Sequence, residues 1–162
     1  MLTFTDAVRR CFSQYVTFSG RARRSEYWWF TAFTLAGSLV AAAIDMALSS
    51  GSGFSPVTML FQLGVFCPAL AVGWRRAHDT GRPGWIVLLP LMIAVGGSAL
   101  ISILGLDAGG LPGEDGTEGP GPANAAAVGI VTVVQLIVAV ALIWLFTRPS
   151  DPGPNAYGPP PS

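Results

Sequence analysis

Two short stretches hold nearly all the residues able to do chemistry. The first carries Arg75, Arg76, His78, Asp79 and Arg82 and closes on Gly84 and Trp85. The second carries Arg21, Arg23, Arg24 and Glu26 and runs into Tyr27, Trp28 and Trp29. A His-Asp pair beside guanidinium groups suits phosphoryl transfer or phosphatase chemistry on a lipid, with imidazole moving a proton and arginine stabilising the developing charge. The same arginines without a working imidazole form a receptor for phosphate, held by bidentate hydrogen bonds. The composition favours the receptor. His78 is the chain's single histidine, and no cysteine nucleophile or carboxylate cluster accompanies it. No metal and no cofactor is expected. Glu26 sits among bases and needs an arginine partner, either Arg23 three residues earlier or one from the other stretch.

The elements that position these residues are read from hydropathy. A helix crossing a hydrocarbon core of about 30 Å needs roughly 20 apolar residues. Four runs qualify, at about 28–48, 57–72, 85–106 and 125–146. Apolar residues make up 51% of the 162 and charged residues 11%, so no soluble shell is left to bury four such runs. The second run is the weakest, with Gln62 and Pro68 inside it. Gln62 and Gln135 both fall near mid-membrane, where they are placed to bond to each other. Pro68 and Pro90 are candidate kinks. Asp45 falls near the outer end of the first run, within reach of water. Ala94, Ser98 and Ser102 give the third run a small-residue face. No span carries paired mid-membrane ionisable groups, which disfavours an ion-coupled carrier. A small oligomeric channel or carrier stays as a second alternative.

Charge sorting sets the orientation. Nine arginines and nine acids give zero net charge, but all nine arginines lie before span one, between spans two and three, or after span four. The other two connections hold no base, and residues 107–124 carry four acids. The positive-inside rule then places both termini in the cytoplasm. Zero net charge also excludes a basic nucleic-acid binder. Cys11 and Cys67 fall toward the reducing side, so no disulfide is expected.

The flanks complete the plan. Phe4, Val8, Cys11, Phe12 and Tyr15 recur at helical spacing, with Thr3 or Thr5 as cap and Asp6 in the first turn. This describes an amphipathic helix at the inner interface. Gly20 allows a positive φ between that helix and span one. Gly81 and Gly84 bracket a turn, and Thr80 is a further capping candidate. Residues 51–56 form an outer turn, and the Gly- and Pro-rich composition of 107–124 and 149–162 predicts no regular structure.

The two arginine stretches, with a third containing Gly153, Asn155, Tyr157 and Gly158, resemble the domain-of-unknown-function 805 family of small bacterial inner-membrane proteins. Its members share a Phe-Gly-Arg approach followed by an acid and tryptophans. They also share an Arg-Arg-x-His-Asp loop closing on Gly-Trp, and a Gly-Asn-x-Tyr-Gly ending. Ala156 departs from the basic residue common at that place, and the acidic outer loop is longer than usual. The resemblance implies a topology and an inner-membrane location but no biochemical activity.

The sequence therefore predicts an all-α protein, a four-helix transmembrane bundle preceded by an interfacial amphipathic helix. Residues 1–26 form the cytoplasmic helix and arginine-rich approach, 27–148 the membrane domain and 149–162 a disordered cytoplasmic tail. Arg21, Arg23, Arg24, Glu26, Arg75, Arg76, His78, Asp79 and Arg82 make a net-positive surface for anionic lipid headgroups or a protein partner. Tyr27, Trp28, Trp29 and Trp85 are interface anchors. A homo-oligomer is a further possible partner. A lipid-phosphate enzyme centred on His78 and Asp79 is the alternative.

Overall fold

The computed structural model describes residues 2–48, 55–103 and 122–161. The centre of the outer turn and the acidic stretch 107–121 lie outside the described residues. Five α-helices run in the order α1 (Phe4–Ser13), α2 (Arg24–Leu48), α3 (Pro56–Asp79), α4 (Leu89–Ile103) and α5 (Pro122–Thr147), with a 3-10 helix over Gly84–Leu88 before α4. No strand is present among the described residues, only one isolated bridge between Asn155 and Gly158. Among the described residues, four helical stretches are long and apolar enough to cross a membrane: Arg24–Leu48, Pro56–Asp79, Gly84–Ile103 and Ala125–Thr147. Two compact units result, residues 1–87 with 146–162 and residues 88–145.

In the first unit, α1 starts where the sequence places it. Thr3 is its N-cap and accepts from the Asp6 N–H, with the Asp6 carboxylate in the first turn. Ala7 and Cys11 are buried, and Phe12 lies edge-on to Phe30 and Phe33 of α2 at 5.7 and 5.8 Å. Thus Ala7 and Cys11 of α1 pack against the chain's own helices, while Phe4 and Phe12 keep part of their surface exposed. The Tyr15 hydroxyl donates to the Gly64 carbonyl at 2.8 Å. Pro68, four residues on, has no N–H to offer that carbonyl, so a side chain from outside the helix closes the gap in α3.

Asp45 differs from expectation. It is buried, and its two carboxylate oxygens accept from the backbone N–H groups of Val57 and Thr58 at 2.9 and 2.8 Å. Ser55 makes no side-chain cap and Pro56 opens the helix, so α2 supplies the cap that α3 lacks. The two glutamines also bond inside their own units. Gln62 donates to Ser38 Oγ at 2.9 Å, and Gln135 to the Pro90 carbonyl at 3.0 Å, so each amide finds its partner within its own unit. Pro90 stands in the first turn of α4, where its missing N–H costs no helical bond and no mid-helix kink is required.

The second unit has little interior. No residue of α4 is buried, and Val131 of α5 approaches so closely that a Cβ on Gly97 would lie 2.9 Å from it. Leu91, Met92, Val95, Leu136, Ile137 and Val140 stay exposed, as suits a surface solvated by acyl chains.

Candidate functional site

The helix α3 runs through Asp79, well beyond the 57–72 that hydropathy suggests. Arg75, Arg76, His78 and Asp79 therefore stand on the last turns of a helix, and only Thr80 to Pro83 form the connection. Arg76 and His78 in the last turn complement the negative end of the helix dipole. Thr80 is the C-cap, its hydroxyl donating to the Ala77 carbonyl. Likewise α2 begins at Arg24, which puts Glu26 in its first turn. Gly20 takes φ +86°, and the chain then meets α3 through the Ala22 N–H donating to the Arg75 carbonyl at 3.1 Å. Gly84 is fixed by contact: a Cβ there would fall about 2.0 Å from Nε1 of Trp74.

Two carboxylates organise this end of the first unit. Glu26, 1% exposed, accepts from Arg75 at 3.0 Å and lies 3.7 Å from Arg10. Gln14 accepts from the same Arg75 guanidinium, and the Cys11 thiol points at Glu26 from 4.0 Å. Burial, then the negative charge of Glu26, pushes the Cys11 thiol up to about 12. Of the two partners open to Glu26 from sequence, the structure selects the one from the other stretch.

Asp79, fully buried, lies between two guanidinium groups: Arg21 at 2.9 Å on one oxygen and Arg76 on the other. The remaining donors of both arginines go mainly to backbone carbonyls, with the Ser150 hydroxyl as a further acceptor for Arg76. Arg76 reaches those of Phe146 and Arg148. Arg21 reaches those of Asp151 and Gly153, both at 2.7 Å. Main-chain oxygens at the end of α5 and in the tail thus complete the coordination of the buried charges.

The expected disordered tail is instead held at many points. Asn155 closes a turn with Gly158, and its side chain donates to the His78 carbonyl at 2.9 Å. The ring of Tyr157 stacks on His78, with centroids 3.8 Å apart and planes 4° apart. The Asp151 N–H donates to the Asp79 carbonyl, and Arg23 donates to the Pro161 carbonyl. Helix and sheet are absent from this segment because its prolines cannot donate, yet its free carbonyls are the acceptors that buried guanidinium groups require.

This geometry separates His78 from Asp79. Nδ1 of His78 donates to the Gly20 carbonyl at 3.1 Å and the ring packs on Tyr157, while the Asp79 carboxylate is taken by arginines. The pair does not make the hydrogen bond that a proton-relay dyad needs. No group of three or more metal-ligating side chains occurs among the described residues.

The nine expected site residues fall into two sets. Arg21, Glu26, Arg75, Arg76, His78 and Asp79 are buried and joined to one another or to the tail. Arg24 and Arg82 are exposed, and Arg23 is half-buried. Of the anchors, Trp29 and Trp85 are about half exposed, at 43% and 51%, while Tyr27 packs on Phe146 at 4.7 Å. Sequence reasoning missed the parts played by Gln14, Asp151 and the tail carbonyls. A signal for the tail lay in its conspicuous Asn-Ala-Tyr-Gly stretch, too specific for a random linker.

An all-helical chain with four helices of membrane-crossing length among its described residues defines a polytopic membrane protein. Comparison with known families places it further. The pattern of the family described as protein of unknown function (DUF805) matches residues 15–159, so the chain belongs to that family. It is 47% identical over 76 residues to inner membrane protein YhaI of Escherichia coli (strain K12), covering 46% of this chain and 62% of that protein. It is 39% identical over 110 residues to inner membrane protein YhaH of the same strain, covering 67% of this chain and 88% of that protein. The chain thus spans less than two thirds of the length of YhaI. No solved structure matches it.

Proposed function

We propose that this chain is a non-catalytic inner-membrane protein with both termini in the cytoplasm, whose arginine-rich end engages anionic lipid headgroups. Arg9, Arg24 and Arg82 are the side chains that make the contact. One observation carries the reading: Arg21, Arg75 and Arg76 are buried with internal partners, while Arg9, Arg24 and Arg82 are exposed. Exposed guanidinium groups at the membrane surface attract phosphate with about 1 kcal/mol each. The names of YhaI and YhaH support the location, and the arrangement of bases along the chain supports the orientation. A protein partner reading the same arginines is the competing possibility, and lipid analysis separates the two.

The test measures the lipids that co-purify with wild type and with a triple Arg9→Gln, Arg24→Gln, Arg82→Gln variant, by native mass spectrometry. Loss of anionic lipid in the variant is expected, with unchanged thermal stability. Equal enrichment in both overturns the reading. For orientation, single cysteines at Ser52 and Gly116 in a background lacking Cys11 and Cys67 should react with an impermeant maleimide from outside. Labelling only after lysis refutes the arrangement.

A further inference from the structure

Arg24 is an exposed base that lines a groove. The salt bridges among the described residues join Arg10, Arg21, Arg75 and Arg76 to carboxylates and leave Arg24 out. It stands at the mouth of a groove of about 680 Å³ between the start of α1 and the first turns of α2. Leu2 and Thr3 form one wall, and Trp28, Trp29 and Ala32 form the other. That volume is within the roughly 300–1,000 Å³ typical of ligand sites.

The sequence builds this groove by helical spacing. Arg24, Trp28 and Ala32 follow at four-residue intervals and share one face of α2, with Ser25 and Trp29 on the adjoining row. From Arg24 to Ala32 the stripe descends about 12 Å, from headgroup level into the upper part of a hydrocarbon core about 30 Å thick. It passes from a guanidinium through a serine and two indoles to an apolar floor. Trp29 is fixed by an edge contact with Phe4 at 5.8 Å, which holds one wall of the groove in place. Ala32 is exposed at the bottom, and its small side chain keeps the path open. Charge at the top, ring N–H donors at headgroup level and carbon below match the polarity profile of a single phospholipid.

We infer that this groove seats one anionic phospholipid, its phosphate on Arg24 and an acyl chain lying along Trp28 and Ala32. This deepens the reading above, on which it rests, by assigning the lipid to one place. Arg24 supplies the charge preference because its guanidinium is spent on no carboxylate, whereas Arg23 donates to the Pro161 carbonyl through both Nε and Nη2.

The experiment uses the full chain in phosphatidylethanolamine nanodiscs containing phosphatidylglycerol or phosphatidylcholine as the minor lipid, with retained lipid counted by native mass spectrometry. Wild type is expected to retain phosphatidylglycerol about tenfold over phosphatidylcholine, the size of one charge-assisted contact. Arg24→Gln should abolish that preference. Ala32→Phe, which fills the groove without changing charge, should displace the retained lipid. Both positions are exposed, and thermal melting verifies that the variants fold. Preference surviving in Arg24→Gln and Ala32→Phe but lost in the triple variant overturns the groove and leaves the surface reading standing. No preference in wild type overturns both.

Discussion

Glu26 and Asp79 are both buried acids held by neighbouring arginines of α3, but different ends of the chain close over them. Glu26 takes Arg75 and is covered by α1, through Cys11, Gln14 and the partly exposed Arg10. Asp79 takes Arg76 and Arg21, whose remaining donors are filled mainly by carbonyls of the C-terminal segment. The first centre recruits a helix by side chains, and the second recruits an irregular segment by its main chain. The difference teaches how a small membrane protein can tie down both termini. A buried guanidinium has five donors, more than one carboxylate satisfies, and the surplus selects whatever acceptor can reach it.

The two centres should respond unequally to damage. Asp79→Asn leaves Arg21 and Arg76 buried without a counter-charge, and should cost about 3–5 kcal/mol, enough to remove most folded protein from a detergent extract. A variant that keeps half or more of the wild-type yield of folded, monodisperse protein contradicts the role given to Asp79. Deleting residues 151–162 should cost less, about 1–3 kcal/mol, because water then replaces the lost carbonyls on Arg21. Thermal melting measures it, and an unchanged midpoint means the tail is not part of the centre. Smaller still, Tyr15→Phe should cost about 1 kcal/mol by leaving the Gly64 carbonyl unpaired. The cost should disappear in a Pro68→Ala background, where the helix supplies its own donor. An equal loss in both backgrounds breaks that explanation.

Cys11 reports on the Glu26 centre without perturbing it. With its thiol pushed up from 9.0 to about 12, the folded state binds a proton that the unfolded state releases across that interval. Its stabilising contribution is therefore complete below pH 9.0 and is lost as pH rises toward about 12. At neutral pH maleimide should modify Cys11 far more slowly in the native protein than after unfolding. Rapid native labelling would show that α1 is not seated over Glu26.

Much of this was legible beforehand. Four apolar runs and the sorting of arginines located the spans, Thr3 marked the start of α1, and Gly20 marked the turn into α2. The same residue types misled about the cap. Arg75 to Asp79 are hydrophilic, so hydropathy ends the span before them, although nothing in them stops a helix until Thr80 and Gly81. Arginines counted along the chain suggested a net-positive pocket, because the count cannot show that Arg21, 58 residues from Asp79, folds onto it. Asp45 looked exposed because the cap it supplies belongs to another helix. The orphan at Gly64, by contrast, follows from Pro68 alone, but its donor required the fold.

The central claim is that the arginines of these motifs are internal structure before they are a binding surface. It is tested most directly by a double-mutant cycle on Glu26→Gln and Arg75→Met, read as unfolding free energy in detergent. If Arg75 exists to neutralise Glu26, each single change is costly and the double variant loses clearly less than their sum, by about 1.5 kcal/mol or more. Costs that add to within about 0.5 kcal/mol would contradict the claim and return Arg75 to the outward-facing set.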